Sequence, residues 1–309
     1  NFKNVRIIGD YAFTQPLSTS TERTLKNFNF ESVISIGEAA FANNEVLSCE
    51  INAPVLESIG MYAFKDTNVS AVKAPILKVI EDYAFNSVAL RSNNSLKQIE
   101  LTDAIEKVGK AAFAGCSAFE RFIYTENGKV VVTKDINDYA SIEDGVLYTK
   151  MPSGNYQLTC VPANWKVDGI VKRDLKVKDG VYRIEFYAGS ANTNINSIIL
   201  PETLKLIGNY AFYGYTGLLG EDDDIKVVFH SYEAPTLENS YDSSSELSET
   251  AAGYGLLHPY MNLFNLELSY YNFVDLAGAN KPINIWLPRT LSGTTEGYDS
   301  LVYRAVFGD

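Results

Sequence analysis

One six-residue phrase, written with small changes, recurs along the chain and constrains its fold more than any other feature. Six copies are evident: IGDYAF at 8–13, IGEAAF at 36–41, IGMYAF at 59–64, IEDYAF at 80–85, VGKAAF at 108–113 and IGNYAF at 207–212. The alanine before the final Phe advances in steps that are all in the twenties, apart from one long gap before the last copy. Such a recurring step is typical of a solenoid in which each turn of chain contributes a strand.

The long gap between Ala112 and Ala211 predicts further, degraded coils before the last copy. The segment VYRIEFYAG at 181–189 has the shape of the phrase, and its Ala188 stands as far before Ala211 as Ala40 stands before Ala63. Glu185 stands here at the glycine position and Gly189 at the phenylalanine position. We therefore expect a coil that has lost its aromatic anchor.

A second recurrent pattern lies between the copies. It is a short run of alternating apolar and polar residues that stops near a Pro or Asp: CEINAP at 49–54, SAVKAP at 70–75, KQIELTD at 97–103 and NSIILPE at 196–202. Such a run predicts a short strand with one face in the core, ended by a residue that does not continue the ladder.

Each position of the phrase has a physical interpretation. The leading Ile or Val points inward, and the glycine sits where the chain turns sharply or where stacked coils approach closely: Gly9, Gly37, Gly60, Gly109 and Gly208. The final aromatic rings are predicted to form a column along the core, each burying about 150–250 Å²: Phe13, Phe41, Phe64, Phe85, Phe113 and Phe212.

The two middle positions of the phrase are given different roles. The first varies, as expected of a solvated position that is free to change: Asp10, Glu38, Lys110 and Asn209. The second is often tyrosine, and we expect these rings in the core: Tyr11, Tyr62, Tyr83 and Tyr210.

These residues also carry a family resemblance. The pattern IGxxAFxxC followed by LxxIxLPxxVxxIG resembles the BspA-type leucine-rich repeats of surface proteins from gut and oral bacteria, most closely in 108–122 and 195–215. DGVLYTK at 144–150 resembles a spacer between such repeats, and 283–307 resembles the phrase that closes these arrays. The expected fold is a right-handed, horseshoe-like leucine-rich-repeat solenoid of the α/β class. Short parallel strands would line one face, turns and short helical pieces the other, and a C-terminal cap would end it.

The predicted domain organisation is one continuous array. Residues 1–238 form the solenoid, with a divergent spacer at about 126–180, and residues 239–309 form a divergent insertion and the capping segment. The sequence departs from the repeat pattern in polar expansions at 14–27 and 87–94, and in a Ser- and acid-rich stretch followed by an aromatic one at 237–275.

The amino-acid composition restricts the classes of partner that the chain can bind. The net charge is −12, from 38 Asp and Glu against 26 Lys and Arg, and no Lys/Arg-rich run offsets it, so nucleic acid is disfavoured. No stretch approaches the roughly 18 consecutive apolar residues of a membrane span, so no transmembrane segment is predicted. No signal peptide is visible, but the chain starts at Asn1 rather than Met. We expect a mature or trimmed start, which leaves export open.

The sequence offers little for catalysis, cofactors or metals. His230 and His258 lack HExxH spacing, and nucleophile elbows and phosphate-binding loops are absent. EDDD at 221–224 has the carboxylates that Ca²⁺ prefers, but adjacent acids splay apart, which favours a solvated turn. The acids of 134–145 are likewise interpreted as loop charges. A hydrolase in 237–280, built around His258, stays as a third hypothesis.

Three cysteines, Cys49, Cys116 and Cys160, are too widely spaced for a zinc site or a disulfide framework. They are predicted to be small buried apolar side chains.

Tyrosines gather late in the chain. Tyr packs a large ring at low entropic cost and keeps a polar tip, so an exposed cluster suits binding to proteins or sugars; the alternative is that these rings pack the divergent segment. The binding candidates are Tyr213, Tyr215, Tyr254, Tyr260, Tyr270 and Tyr271.

A wide, rigid repeat surface favours binding over reaction. We predict a non-enzymatic, monomeric binding protein without a cofactor. The resemblance implies a cell-surface or secreted location and adhesion to host proteins or other bacteria. The alternative hypothesis is a carbohydrate-binding accessory protein that uses the late tyrosines.

Overall fold

The computed structural model describes residues 4–15, 28–87, 95–192, 194–208, 211–212, 225–231, 235–238, 268–269, 272–273 and 283–286. The chain divides into two compact units: unit 1 comprises 1–150 and 159–170, and unit 2 comprises 151–158 and 171–309. The domain boundary predicted after residue 238 stays a prediction.

Both units are built from short strands. Residues 4–150 contain β1 Ile7–Ile8, β2 Ser35–Ile36, β3 Glu50–Asn52, β4 Ser58–Ile59, β5 Ala71–Lys73, β6 Val79–Ile80, β7 Gln98–Glu100, β8 Lys107–Val108, β9 Arg121–Glu126, β10 Lys129–Val131, β11 Lys134–Asp135, β12 Ala140–Glu143 and β13 Val146–Lys150. The later strands are β14 Tyr156–Cys160, β15 Lys166–Val167, β16 Ile170–Val171, β17 Asp174–Lys176, β18 Val181–Ile184, β19 Ser197–Leu200, β20 Leu206–Gly208, β21 Ile225–Phe229, β22 Thr236–Glu238, β23 Leu268–Ser269, β24 Asn272–Phe273 and β25 Ile283–Trp286.

The first five copies of the phrase define coils 1 to 5 of unit 1. Their strands form one parallel sheet in the order β1–β2–β4–β6–β8. The register aligns the leading residue of every copy, and all five are buried: Ile8, Ile36, Ile59, Ile80 and Val108. The predicted parallel solenoid is therefore confirmed, and its register follows the unequal steps between copies of the phrase.

The second recurrent pattern forms a second sheet of unit 1. Strands β3, β5, β7 and β9 pair in parallel, and β10 adds an antiparallel strand to β9. Their central residues are buried in register: Ile51, Val72, Ile99 and Phe122. Side chains of both sheets belong to one hydrophobic core, so each coil stabilises its neighbour by burying apolar surface it could not bury alone.

Backbone hydrogen bonds join the coils outside the strands as well. The N–H of Phe64 donates to the carbonyl oxygen of Ala84 at 2.8 Å, and the N–H of Asp66 donates to that of Asn86 at 3.0 Å. The same two bonds recur at every junction between coils 1 and 5. The repeated phrase therefore continues the ladder past the end of its short strand, which satisfies backbone groups that burial would otherwise leave unpaired.

The phenylalanines of unit 1 stack as a column. Centroids of Phe13, Phe41, Phe64, Phe85 and Phe113 lie 5.2, 5.3, 5.4 and 5.4 Å apart in succession, with interplanar angles of 4 to 14°. Phe119, which is not part of a repeated phrase, continues the column 5.2 Å beyond Phe113 at 7°. The distance between ring centroids is close to the distance between neighbouring strands of one sheet, about 4.8 Å, because each coil contributes one ring.

The α/β assignment is wrong for the described residues, which contain no helix. The residue before each Ala has a left-handed backbone, with φ of 48 to 57°: Tyr11, Ala39, Tyr62, Tyr83 and Ala111. A right-handed helix does not pass through such a residue. The phrase instead makes tight turns, such as the N–H of Ala63 donating to the carbonyl of Gly60 at 3.2 Å. The predicted C-terminal cap lies mostly outside the described residues.

The tyrosines of the phrase are not core residues, contrary to expectation. Tyr11 is 55% exposed. Tyr62 and Tyr83 are half-buried, and their rings stack with centroids 5.1 Å apart. The left-handed backbone turns this position outward, away from the inward Phe two positions later. Tyr210 lies outside the described residues.

The first middle position of the phrase is less free than predicted. Oδ1 of Asp10 accepts a hydrogen bond from the N–H of Glu38 at 2.8 Å, and Oδ1 of Asp82 accepts one from the N–H of Lys110 at 2.9 Å. Asp10, Asp82 and Lys110 are exposed or half-buried, as expected, but the two aspartates tie adjacent coils together. Each of these bonds joins residues 28 positions apart, the longest step between neighbouring coils 1 to 5.

The predicted spacer interrupts the parallel pattern with hairpins. β9 and β10 join through Asn127–Gly128, and β12 and β13 join through Asp144–Gly145. All four residues have positive φ. Asn-Gly and Asp-Gly are favoured in two-residue hairpin turns because both central residues must be left-handed.

Unit 2 contains the degraded coil that the sequence predicted. β18 and β20 pair in parallel with Ile184 opposite Ile207, which is the alignment that the phrase at 181–189 predicts. β17, β19, β21 and β25 pair in that order as a second parallel set. A Cβ at Gly189 would lie 2.5 Å from the Phe212 ring, so this ring of the next coil covers the position where the degraded coil lacks its own.

Candidate functional site

Two exposed aliphatic side chains lie in neighbouring coils on the turn that joins the two strands of each coil. Val55 is 39% exposed and Ile76 is 40% exposed, and both lie three positions after the paired residues Asn52 and Lys73. Ala104 holds the same place in coil 5, by a matching turn hydrogen bond. The aliphatic stripe therefore crosses coils 3, 4 and 5.

Charged residues flank this stripe. On one side, Nζ of Lys78 lies 2.8 Å from Oε2 of Glu57, and this hydrogen bond raises the pKa of Lys78. Glu106 holds the corresponding position of the next coil. On the other side, Lys73 pairs with Glu50. We call the stripe and these flanking residues the turn face.

An open cleft of about 490 Å³ lies at the coil 5 end of the turn face. Its lining includes Lys78, Ala104, Glu106, Asn137, Asp138 and Tyr139. The carboxylates of Glu106 and Asp138 make no hydrogen bond or ion pair in the described part of the chain, whereas Lys78 is held by Glu57. The lining therefore carries more acidic than basic side chains, with Asp103, Glu106 and Asp138 against Lys78, and it includes the ring of Tyr139.

The far wall of the cleft belongs to the spacer and is fixed to coil 5. Nδ2 of Asn137 donates to the carbonyl oxygens of Asp103 and Ile105 at 3.1 and 2.9 Å. Its Oδ1 accepts the N–H of Tyr139 at 2.9 Å. The hydroxyl of Tyr139 accepts the N–H of Val108 at 2.8 Å. The wall thus covers the outer edge of β8 and gives the cleft a preformed shape.

A second, smaller hollow of about 140 Å³ lies on the other flank of the stripe, lined by Lys73, Ala74, Pro75, Glu100 and Thr102. Thr102 donates through its hydroxyl to the carbonyl oxygen of Pro75 at 3.0 Å. Both clefts of unit 1 described above thus adjoin one aliphatic stripe.

The sequence did not identify this surface. The Pro or Asp that ends each strand was recognised, but the exposed aliphatic residue after it was not, and that apolar residue in an exposed turn was the available signal. The cleft combines residues 78, 103–106 and 137–139, which only the coil register brings together.

The sequence-predicted binding tyrosines lie outside the described residues: Tyr213, Tyr215, Tyr254, Tyr260, Tyr270 and Tyr271. Their role stays a prediction, as does that of His258 and of the acids at 221–224. Among the sites that are described, His230 is exposed at the end of β21. No group of His, Cys, Asp or Glu that could hold a metal ion occurs among the described residues.

The three cysteines are free thiols. Cys116 and Cys160 are buried as predicted, and Cys49 is half-buried. Sγ of Cys116 contacts the carbonyl oxygen of Phe85 at 3.0 Å, which joins coil 5 to coil 4. Burial raises the pKa of the Cys160 thiol and that of Cys49. These thiols are packing residues.

Comparison with known families decides the relationship that the repeat suggests. The chain matches the family described as a BspA type leucine rich repeat region in six copies, over residues 2–118, 87–143 and 172–219. These matches cover more than half of the sequence. The chain belongs to the BspA-type leucine-rich-repeat family.

One solved structure agrees with this family at the level of the fold. The BspA-type chain is similar to a leucine rich cell surface protein from Faecalibacterium prausnitzii, with 21% identity, a TM-score of 0.53, and coverage of 75% of this chain and 53% of that one. A leucine-rich repeat protein from Bacteroides ovatus is 21% identical over 74% of this chain and 54% of its own, with a TM-score of 0.46. This chain therefore spans about half the length of these structures.

Two further findings concern the BspA-type chain. No curated protein sequence matches it. Within the described ranges, no helix has the length and apolar character that a bilayer crossing requires.

Proposed function

We propose that this BspA-type protein is a non-enzymatic binding protein of the cell surface or the secreted fraction, and that it adheres to a protein of the host or of another bacterium. The turn face of unit 1 is the surface that makes the contact. The family and the similarity to a Faecalibacterium protein described as a cell surface protein support the cellular context.

One observation carries the proposal. The exposed side chains Val55 and Ile76 lie in neighbouring coils. Two clefts lie next to Ile76 in the chain, one lined by Pro75 and the other by Lys78. Single exposed apolar residues on a monomer are ordinary. Two that lie side by side and are rimmed by charged groups support an interaction surface here. The backbone ladder holds the set in place, so binding costs little conformational entropy.

The experiment compares binding by the whole chain and by two variants. Purified extracellular-matrix and serum proteins are immobilised one by one, and each variant is passed over them. The variant Val55→Asp with Ile76→Asp places two charges in the aliphatic stripe and is expected to lose at least tenfold in affinity, about 1.4 kcal/mol. Val130→Asp is the control, because Val130 is 58% exposed on β10, at the edge of the second sheet opposite to β3.

Two results contradict the proposal. One is that none of the immobilised proteins binds the unmodified chain. The other is that both variants bind as the unmodified chain does. Thermal unfolding of each variant shows that any loss comes from the surface and not from the fold.

A glycan array tests the alternative of carbohydrate binding through the late tyrosines. Selective glycan binding that is lost in Tyr254→Ala or Tyr260→Ala, and kept in the turn-face variant, would assign the function to the C-terminal segment.

A further inference from the structure

We propose that the occupant of the turn face is an extended polypeptide segment that places a basic side chain in the cleft beside Tyr139 and apolar side chains on Ile76 and Val55. This inference rests on the proposed function and specifies the chemistry of the partner. It is carried by the combination of the apolar stripe, the shape of the cleft and the charge of its lining.

The charge of the cleft favours a partner with a positively charged side chain. Glu106 and Asp138 line it without a hydrogen-bonding or ion-pairing group from the described chain. Lys78 donates to Glu57 and also interacts electrostatically with Glu106, so the acids Asp103, Glu106 and Asp138 outnumber one partly neutralised cation. An acidic side chain would be repelled here. A lysine or arginine would replace part of its hydration shell with charge-assisted hydrogen bonds, and an arginine would make them bidentate.

The wall of the cleft adds an aromatic contribution. Tyr139 lines the cleft, and its hydroxyl is engaged by the N–H of Val108, so the ring is held in position before a partner arrives. A guanidinium or ammonium group near an aromatic ring gains about 0.5–2 kcal/mol from the cation–π interaction. A ring already held in place does not have to be ordered on binding.

Geometry connects the cleft to the stripe. Neighbouring parallel strands lie about 4.8 Å apart, so the distance from Ile76 to the cleft is about one to two coils, or roughly 5–10 Å. Residues i and i+2 of an extended strand are about 6.6 Å apart on one face. One extended segment therefore reaches the cleft with one residue and the stripe with a residue two positions away.

Other occupants fit these observations less well. Nucleic acid would bring its phosphates against Glu106 and Asp138. A bound metal ion is not favoured, since the described residues contain no group of ligands able to hold one. A free polyamine satisfies the charge but leaves the aliphatic stripe uncovered, and it becomes one arm of the test.

The experiment titrates the ¹⁵N-labelled full chain with three short peptides that differ only at the centre. The probes are acetyl-Val-Ser-Arg-Ser-Val-amide, in which each Val lies two positions from Arg on the same face, and the same peptide with Gln or with Glu in place of Arg. The expected result is saturable movement of the amide signals of Ile76, Ala104 and Tyr139 with the Arg peptide, at concentrations up to about 10 mM. The Gln peptide should bind at least about fivefold more weakly.

Three results of this titration overturn the inference: no movement with the Arg peptide, equal affinity for all three peptides, or spermidine binding as tightly as the Arg peptide. The last result would mean that the cleft takes cations in general and that the stripe contributes nothing.

Two variants test whether the carboxylates of Glu106 and Asp138 bind the basic side chain of the peptide. Glu106→Gln with Asp138→Asn is expected to weaken the Arg peptide about tenfold and to remove most of the dependence on salt. Glu143→Gln is the matched control, because this exposed carboxylate lies on β12 and does not line the cleft. Unchanged affinity in the double variant would overturn the role of the two carboxylates.

The same variants separate this inference from the proposed function. If Val55→Asp with Ile76→Asp abolishes binding to an immobilised protein while Glu106→Gln with Asp138→Asn leaves it intact, the turn face binds a partner and the assignment of a basic side chain is wrong. If neither variant changes binding to the immobilised protein, both this inference and the proposed function are wrong.

Discussion

Asp82 accepts a hydrogen bond through Oδ1 from the backbone N–H of Lys110, one coil further along the chain, at 2.9 Å. The carboxylate thus satisfies a donor that belongs to the neighbouring coil. Asp10 and Glu38 repeat this arrangement at the junction between coils 1 and 2. Part of the cohesion between coils therefore comes from side chains that look like variable surface residues in the sequence.

This contact predicts the effect of removing the acceptor. Asp82→Ala should lower the free energy of unfolding by about 1 kcal/mol, since it leaves the N–H of Lys110 without its partner. Asp82→Asn keeps an oxygen acceptor in place and should lose less than half of that. Urea unfolding measures both, and an equal loss in the two variants would show that the negative charge and not the hydrogen bond matters.

The glycines of the phrase offer a test within one protein. A Cβ at Gly60 would lie 2.6 Å from the carbonyl carbon of Gly37, whereas a Cβ at Gly9 meets nothing within 4 Å. Gly60→Ala should therefore destabilise the fold by about 1–3 kcal/mol or more through overpacking. Gly9→Ala should change stability by less than about 0.5 kcal/mol. Comparable losses would mean that glycine is needed for backbone flexibility and not for close approach.

The aromatic column predicts a large loss on truncation. Phe64 stacks between Phe41 and Phe85 and is fully buried. Phe64→Ala should cost about 3–5 kcal/mol, because the rigid coils on both sides cannot close the cavity. Met61→Ala, at an exposed position earlier in the same phrase, is the control and should have little effect. A loss below about 1 kcal/mol for Phe64→Ala would contradict the proposed role of the column.

The thiols predict an order of chemical labelling. Burial raises the pKa of Cys160 well above its ordinary value of 9.0, so in the native protein this thiol stays protonated and unreactive at about pH 8. Cys49, which is only half-buried, should react first, and Cys116 and Cys160 should react only with unfolding. Mass spectrometry after timed alkylation gives the order, and early modification of Cys160 would contradict it.

The raised pKa of Cys160 also predicts how the free energy of unfolding changes with pH. A thiol whose folded pKa lies above its unfolded value favours the native state fully below about pH 9, and this contribution is lost as the pH rises further. Cys160→Ala should therefore flatten the decline of unfolding free energy between about pH 8 and pH 10. An unchanged slope would show that other groups control the alkaline limb.

The sequence predicted the frame of unit 1 well, because the frame depends on residues that recur in register. Ile36 and Ile59 align as the repeated phrase requires, and Ile184 opposite Ile207 shows that even a coil without its glycine keeps the register. Helical pieces were wrongly expected, since nothing in the letters of the phrase indicates that Tyr62 adopts a left-handed backbone. The same left-handed backbone directs the tyrosines of the phrase outward, although they were predicted to lie in the core.

The candidate site could not be predicted from a pattern along the sequence. Its cleft depends on Asn137 contacting the carbonyl groups of Asp103 and Ile105, which are distant in sequence. The spacer that supplies Asn137 was recognised only by resemblance. Its hairpins were predictable in principle, because Asn127–Gly128 and Asp144–Gly145 each have the composition of a two-residue turn.

Unequal coil length is compatible with constant contacts between neighbouring coils. Neighbouring coils of unit 1 differ in length, yet the register of their strands and rings is the same. In the two longer steps, the last ladder bonds at Gln15 and Ser87 and the stacking of the rings are the same as in the shorter ones. A coil can therefore differ in length from its neighbour while the strand register and the ring stacking that join the two are kept.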